Sequence, residues 1–296
     1  MADAHWHVLG AGAIGGLFAH SLARAGNAVT LVLRAPAVAS PLIIEGMGQR
    51  AELALPCVDA QSCGPVSHLL VTTKAYDARA AVASIAHRLG RDTVLLLMVN
   101  GMGIAEQLQK EYPKLSIYCG TTTEGAYRVA PLRIHHAGRG ATRIGRQGQW
   151  RPPQWFDTWS LGLDNCHWDP QIDAALWEKL AINCVINPLT AVYRCRNGAL
   201  RERAELRQRV FELCREIRQV SYAAGYTDTA QTLHKRVTEV IAATRDNRSS
   251  MLQDVEAGRP TEIGHITGYL LRVARAHGIP ASHNAALLDE VLQHGR

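Results

Sequence analysis

No apolar run in this chain approaches the eighteen or so residues needed for a membrane-spanning helix, so a soluble protein is expected. The opening residues, MADAHWHVLGAGAIGG, contain no basic region followed by an apolar stretch and a cleavage site, and no export segment is expected. Cysteine occurs at positions 57, 63, 119, 166, 184, 195 and 214, an odd set without a CxxC pair. That pattern argues against a disulfide framework and against a zinc site; no metal is expected, and a reducing cytoplasm is the expected location. Internal repeats and low-complexity tails are also missing. The net charge of +6 raises the question of nucleic acid, but the basic residues are scattered, densest along Arg201 to Arg218 with acidic residues interleaved. A solvated helix face accounts for that run, so no nucleic-acid partner is expected. A modest positive field still favours encounter with small anions.

What is present is enough for two domains: 296 residues, 47% hydrophobic and 20% charged. The first half alternates short β-rich runs with helical ones, HWHVLGA, AIGGLFAHSLARAG, AVTLVLR, then HLLVTTKA, TVLLLMVN and LSIYCGTTT. Continuous apolar strands separated by helices predict a parallel sheet covered on both faces. After a passage rich in Pro, Trp and Gly, RQGQWRPPQWFDTWSLGLDN, only helical periods remain. The fold class is therefore α/β: an N-terminal Rossmann-type dinucleotide-binding domain over residues 1–168, followed by an all-α domain over 169–296. Helix punctuation in the second half predicts a helix QIDAALWEKLAINCVIN that stops or kinks at Pro188, and a long run from Ala199 to Ala224 ended by Gly225. Further helix starts are predicted at Thr227, Ser249 and Thr261.

The loop Gly10-Ala11-Gly12-Ala13-Ile14-Gly15 has the GxGxxG spacing, follows a strand and opens a helix. In that context Gly10 permits a tight turn, Gly12 lets a pyrophosphate approach the backbone and Gly15 allows close helix packing, with the helix N-terminus facing the anion. At the end of the second strand, where an NAD-binding fold usually carries Asp or Glu, this chain has Arg34, and no carboxylate is expected nearby to repel a phosphate. An arginine there pairs with a 2′-phosphate, which predicts NADPH as the cofactor; the alternative is a surface arginine at a strand end.

Within LWEKLAINCVINPL, Lys179, Asn183 and Asn187 recur every four residues. A spacing of four drifts only about 40° per step, so the three form one stripe about 12 Å long on a helix otherwise clothed in Leu, Ile, Val and Trp. The stripe is either the wet side of an amphipathic helix or the wall of a polar cleft.

The segments GAGAIGG, VTTKAYD, VNGMG, GTTTEGA, LWEKLAINCVINPLTA and SSMLQDVEAGRPTEI, the last followed by GYLLRVARAHGIP, together resemble the ketopantoate reductase family over essentially the whole chain. The resemblance implies an NADPH domain joined to a helical one, with reduction of a 2-oxo acid, ketopantoate, in the cleft between them. It places Lys179 at the proton-donor position and Asn183, Asn187, Asn197 and Ser250 at substrate contacts. It assigns Lys74, Asn100 and Ala126 to the cofactor side, with Asn100 also reaching substrate, and Glu262 near both nicotinamide and substrate. Chemistry agrees with these roles: hydride arriving at a ketone leaves charge on oxygen, which Lys179 can protonate, and the asparagines suit a substrate hydroxyl. Simpler readings stay open for three residues. Ser250 begins S-x-x-Q and caps a helix, Glu262 follows Thr261 in a first helical turn, and Lys74 is a solvated turn residue. Rivals to the whole are a related reductase of another 2-oxo acid and a non-catalytic NADPH sensor. A monomer or homodimer is expected.

Overall fold

The computed structural model describes residues 4–34 and 40–294. In chain order its first elements are β1 (His5–Leu9), α1 (Ala13–Arg24), β2 (Ala28–Val32), β3 (Leu42–Gly46), β4 (Gln49–Leu53), β5 (Cys57–Val58), β6 (Val66–Val71) and α2 (Ala75–Ser84). There follow β7 (Leu89–Leu97), α3 (Ile104–Glu111), β8 (Ser116–Thr122), β9 (Gly125–Ala130), β10 (Arg133–Gly138), β11 (Thr142–Gly145), α4 (Phe156–Gly162) and β12 (Cys166–Trp168). The rest is helical: α5 (Ile172–Val192), α6 (Ala199–Glu202), α7 (Ala204–Ala223), α8 (Thr227–Ala243), α9 (Ser250–Glu256), α10 (Thr267–Ala276) and α11 (Ser282–His294). The chain divides into two units, Met1–Val99 with Ile104–Asp173, and Asn100–Gly103 with Ala174–Arg296.

In the first unit, eight strands form one sheet in the order β12-β11-β8-β7-β6-β1-β2-β5. All neighbours from β5 through β8 are parallel, as the run of apolar strands and helices predicts, and β11 joins β8 antiparallel. Successive residues of β6 face opposite ways: Leu70 enters a core with Phe18, Leu22 and Trp159, while Leu69 and Val71 enter a second core with Val82 and Leu108. That alternation, buried on both sides, is the physical reason these strands read as unbroken apolar runs.

Two features were not legible in the sequence. A second, four-stranded sheet, β4-β3-β10-β9, packs Leu42, Ile44 and Ile134 into the core beside α1. Its strands are short and half exposed, without the apolar continuity of the main sheet. Ile134 comes so near α1 that a Cβ at Gly16 would lie 2.8 Å from its Cδ1, which explains the fourth glycine of the loop. The passage of Pro and Trp contributes to the core and is not merely a boundary: Trp150 is exposed, but Trp155, Phe156 and Trp159 are buried, with Trp6 edge-on to both Trp155 and Trp159 at 5.4 Å.

The second unit buries α5 in a helical core with residues of α7, α8, α10 and α11. No helix among the described residues is long and apolar enough to cross a membrane. Helix α5 contains Pro188 and continues to Val192; one donor is lost, but Leu189 and Thr190 are both fully buried and packing keeps the segment helical. The run from Ala199 breaks at Arg203, whose backbone is extended (φ −89°, ψ 129°), with no Gly or Pro to mark the break. After α7, Gly225 has φ +85° as a helix-ending glycine should. Thr261 does not start a helix: residues 262–266 form a turn, and α10 begins at Thr267.

Candidate active site

The glycine loop lies at the C-terminal end of β1, between the exits of β6 and β2. Gly10 has φ +102°, and a Cβ there would sit 2.7 Å from the Thr73 amide nitrogen. A Cβ on Gly15 would fall 2.2 Å from the Gly10 carbonyl oxygen, whereas one on Gly12 would meet nothing within 4 Å. The loop is thus closed beneath Gly10 and Gly15 and open above Gly12, and Ala11, Ala13 and Ile14 are half-buried against the core. Gly12 caps α1 with no side-chain bond to its amides and no acidic residue in the first turn. Amide N–H groups at that helix end suit a pyrophosphate, so the residues fit a dinucleotide.

Arg34 needs a correction. A carboxylate does stand beside it: Arg34 Nη2 donates to Asp77 Oδ2 at 2.5 Å. The two lie 43 residues apart and meet because β2 and β6 flank β1. Lys74 is the half-buried residue immediately before α2, with extended backbone. Ala126 lies on the second sheet, paired across strands with His136 and packed partly against the core beside α1.

The second unit gathers the polar stripe and the acid. Along α5, Lys179 and Asn183 are half-buried and Asn187 is only 7% exposed, so the stripe is not an ordinary solvated face. Glu262, 4% exposed, accepts from Asn100 Nδ2 at 3.2 Å through Oε2. Since Glu262 lies in the turn before α10, helix-dipole stabilisation in a first turn does not explain this carboxylate. Burial pushes the Lys179 amine down to about 8, and the charge of Glu262 partly opposes that fall. An amine in that range gives up a proton readily near neutral pH.

Asn100 is held by the loop VNGMG, to whose glycines the sequence alone assigned no role. Gly101 has φ +92°, and a Cβ on it would lie 2.3 Å from the His265 carbonyl oxygen; Met102 N donates to that same oxygen at 3.1 Å. Gly103, at φ +96°, lies against the Tyr269 ring. The two glycines of VNGMG were the available signal. The imidazole of His265 is held below its usual range by burial and by Arg272, with Glu262 opposing.

Asn197 and Ser250 sit toward the far end of α5. The Asn197 amide, 6% exposed, donates through Nδ2 to Thr244 Oγ1 at 2.8 Å. Ser250 is exposed and is not the helix cap; Ser249 is, its Oγ accepting from Leu252 N at 3.1 Å. Ser249 is also tied to α5 through Thr190 Oγ1 at 2.7 Å. The cap thus lies at the helix start expected at Ser249, with Leu252 three residues on, and the S-x-x-Q of Ser250 to Gln253 is not the capping motif. All seven cysteines are free, and no cluster suited to a metal ion occurs among the described residues.

Residues 6–149 match the family model described as ketopantoate reductase PanE/ApbA, and residues 171–294 match the model of its C-terminal domain. The 2-dehydropantoate 2-reductase of Shigella flexneri is 41% identical over 287 residues, 96% of this chain and 93% of that protein. Among solved structures, a PanE/ApbA family ketopantoate reductase from Ralstonia eutropha JMP134 has a TM-score of 0.88 at 23% identity, covering 98% of each chain. A ternary structure of D-mandelate dehydrogenase with NADH and anilino(oxo)acetate has a TM-score of 0.85 at 23% identity, again over 98% of each chain. At that identity the two structures speak for the fold alone.

Proposed function

The chain belongs to the ketopantoate reductase family, and on that premise we propose that it is a cytoplasmic enzyme reducing 2-dehydropantoate to (R)-pantoate with NADPH, a step toward pantothenate and coenzyme A. The observation that carries the reading is Lys179, an amine lowered to about 8 on a half-buried helical stripe, within the electrostatic reach of Glu262. A nucleotide sensor would need the glycine loop but none of this.

Gly10 to Gly15 would hold the dinucleotide, with Arg34 toward the 2′-phosphate and Lys74 and Ala126 nearby, and NADPH bound there would supply the hydride. Lys179 gives its proton to the ketone oxygen as charge develops there. Glu262 keeps Lys179 protonated to a higher pH than burial alone would allow, and Asn100 orients Glu262 through its amide. Asn183 and Asn187 hold the substrate hydroxyl, and Asn197 and Ser250 complete its contacts toward the end of α5. Asparagine suits that task because its amide both donates and accepts.

The test is steady-state turnover of the purified protein with NADPH, comparing ketopantoate with a 2-oxo acid of the same branching that lacks the hydroxyl. Ketopantoate is expected to win by a factor of at least about a hundred in kcat/KM, since a site built to bond a hydroxyl leaves buried groups unpaired without it. Equal efficiency on both would sink the substrate assignment.

A further inference from the structure

We propose that Asp77 sets the cofactor preference of this chain, by strapping Arg34 across the glycine loop in competition with the 2′-phosphate. The proposal rests on the reading that Arg34 faces that phosphate. In the order β6-β1-β2, the glycine loop leaves the middle strand, Arg34 follows β2, and Asp77 lies in the first turn of α2 after β6. Neighbouring strands lie about 4.8 Å apart, so the pair reaches across roughly 10 Å, over the end of the strand that carries the loop. The bond is short, 2.5 Å, yet the Arg34 side chain is 85% exposed and that of Asp77 36%.

An ion pair this exposed stabilises little, so a phosphate with nearly two charges and three acceptor oxygens displaces the single carboxylate. Opening the pair nevertheless costs affinity, and the displaced carboxylate remains. Asp77 stands in the first turn of α2, where a carboxylate is well placed whether or not Arg34 is present. Left beside the incoming phosphate, it repels. NADH brings only a ribose hydroxyl to this place, a donor for which a carboxylate is a suitable acceptor. The same residue therefore weighs against NADPH and not against NADH, narrowing a preference that Arg34 alone would make wide.

The test is calorimetric binding of NADP⁺ and NAD⁺ to the parent, Asp77→Asn, Arg34→Ala and the double variant; asparagine keeps the shape and removes the charge. Asp77→Asn should tighten NADP⁺ by about three- to tenfold and change NAD⁺ by less than about twofold. On the Arg34→Ala background the gain should shrink to less than about threefold, because only repulsion is left to relieve. The proposal is overturned if Asp77→Asn leaves NADP⁺ within about twofold of the parent or weakens it, since the carboxylate would then be orienting Arg34 for the phosphate. It is equally overturned if the full gain persists without Arg34. Failure of the underlying reading looks different and removes both: NADP⁺ affinity unchanged by Arg34→Ala, or no dinucleotide bound by the parent.

Discussion

Replacing Glu262 by Gln should move the alkaline limb of the pH–rate profile toward acid, and the structure sets how far. Lys179 is brought from 10.5 to about 8 by burial, against the opposing charge of Glu262. Neutralising that charge removes the opposition, so the amine falls further. An opposite charge close to a partly desolvated group is worth roughly one to three pKa units, and about one is the conservative choice for a site in partial contact with water. The acid form must donate, so activity is present below the lysine pKa and lost above it. With the value at about 8, roughly three quarters of the enzyme is protonated at pH 7.5; at about 7, roughly one quarter. The defect of Glu262→Gln should therefore grow by about threefold between pH 6 and 7.5, and by up to about tenfold by pH 9, on top of any pH-independent loss of contact. Single-turnover rates across that range, with NADPH and ketopantoate saturating, separate the two contributions. A limb that stays in place, or shifts toward alkali, would refute the electrostatic coupling.

Two further outcomes follow from local geometry. Gly101→Ala places a methyl 2.3 Å from the His265 carbonyl at φ +92°, so the loop must move and the Asn100 to Glu262 bond should be lost, with kcat falling about ten- to hundredfold. Gly225→Ala, at φ +85° in open space, carries the backbone strain of about 1–2 kcal/mol without the collision and should leave kcat near the parent's; equal losses would contradict the positioning role. Acid should also destabilise the first unit through His7, which burial, then His5 and Arg88, push from 6.5 down to about 4. The unfolded chain takes up the proton first, so this stability is complete above about pH 6.5 and lost progressively down to about 4, up to roughly 3 kcal/mol. His7 Nε2 accepts from Arg88 Nη2 at 3.1 Å, and His7→Gln, which keeps an acceptor, should flatten the fall in melting temperature over that range; an unchanged slope would assign it to other groups.

The parts legible in the sequence were those in which residue type and physical demand coincide. Unbroken apolar strands gave the parallel sheet because both faces are covered, and the spacing of glycines gave the loop because only glycine fits against Thr73 and the Gly10 carbonyl. Spacing by four is enough to put Lys179, Asn183 and Asn187 on one helical face. Contacts made over long sequence separation were not legible. Asp77 meets Arg34 only through the strand order, and the 101–103 loop meets His265 only through the fold. Local patterns were right in one place and misled in two: α9 is capped at the expected start, Ser249, but the S-x-x-Q of Ser250 is not its cap, and the acidic residue after Thr261 opens a turn and not a helix.

The central claim is that Lys179 protonates the substrate, and Lys179→Ala tests it most directly. NADPH binding, followed by quenching of tryptophan fluorescence, should stay within about threefold of the parent, while the single-turnover rate of ketopantoate reduction falls by about two to four orders of magnitude. A variant that binds NADPH normally and still reduces ketopantoate within about threefold of the parent would show that the proton comes from elsewhere.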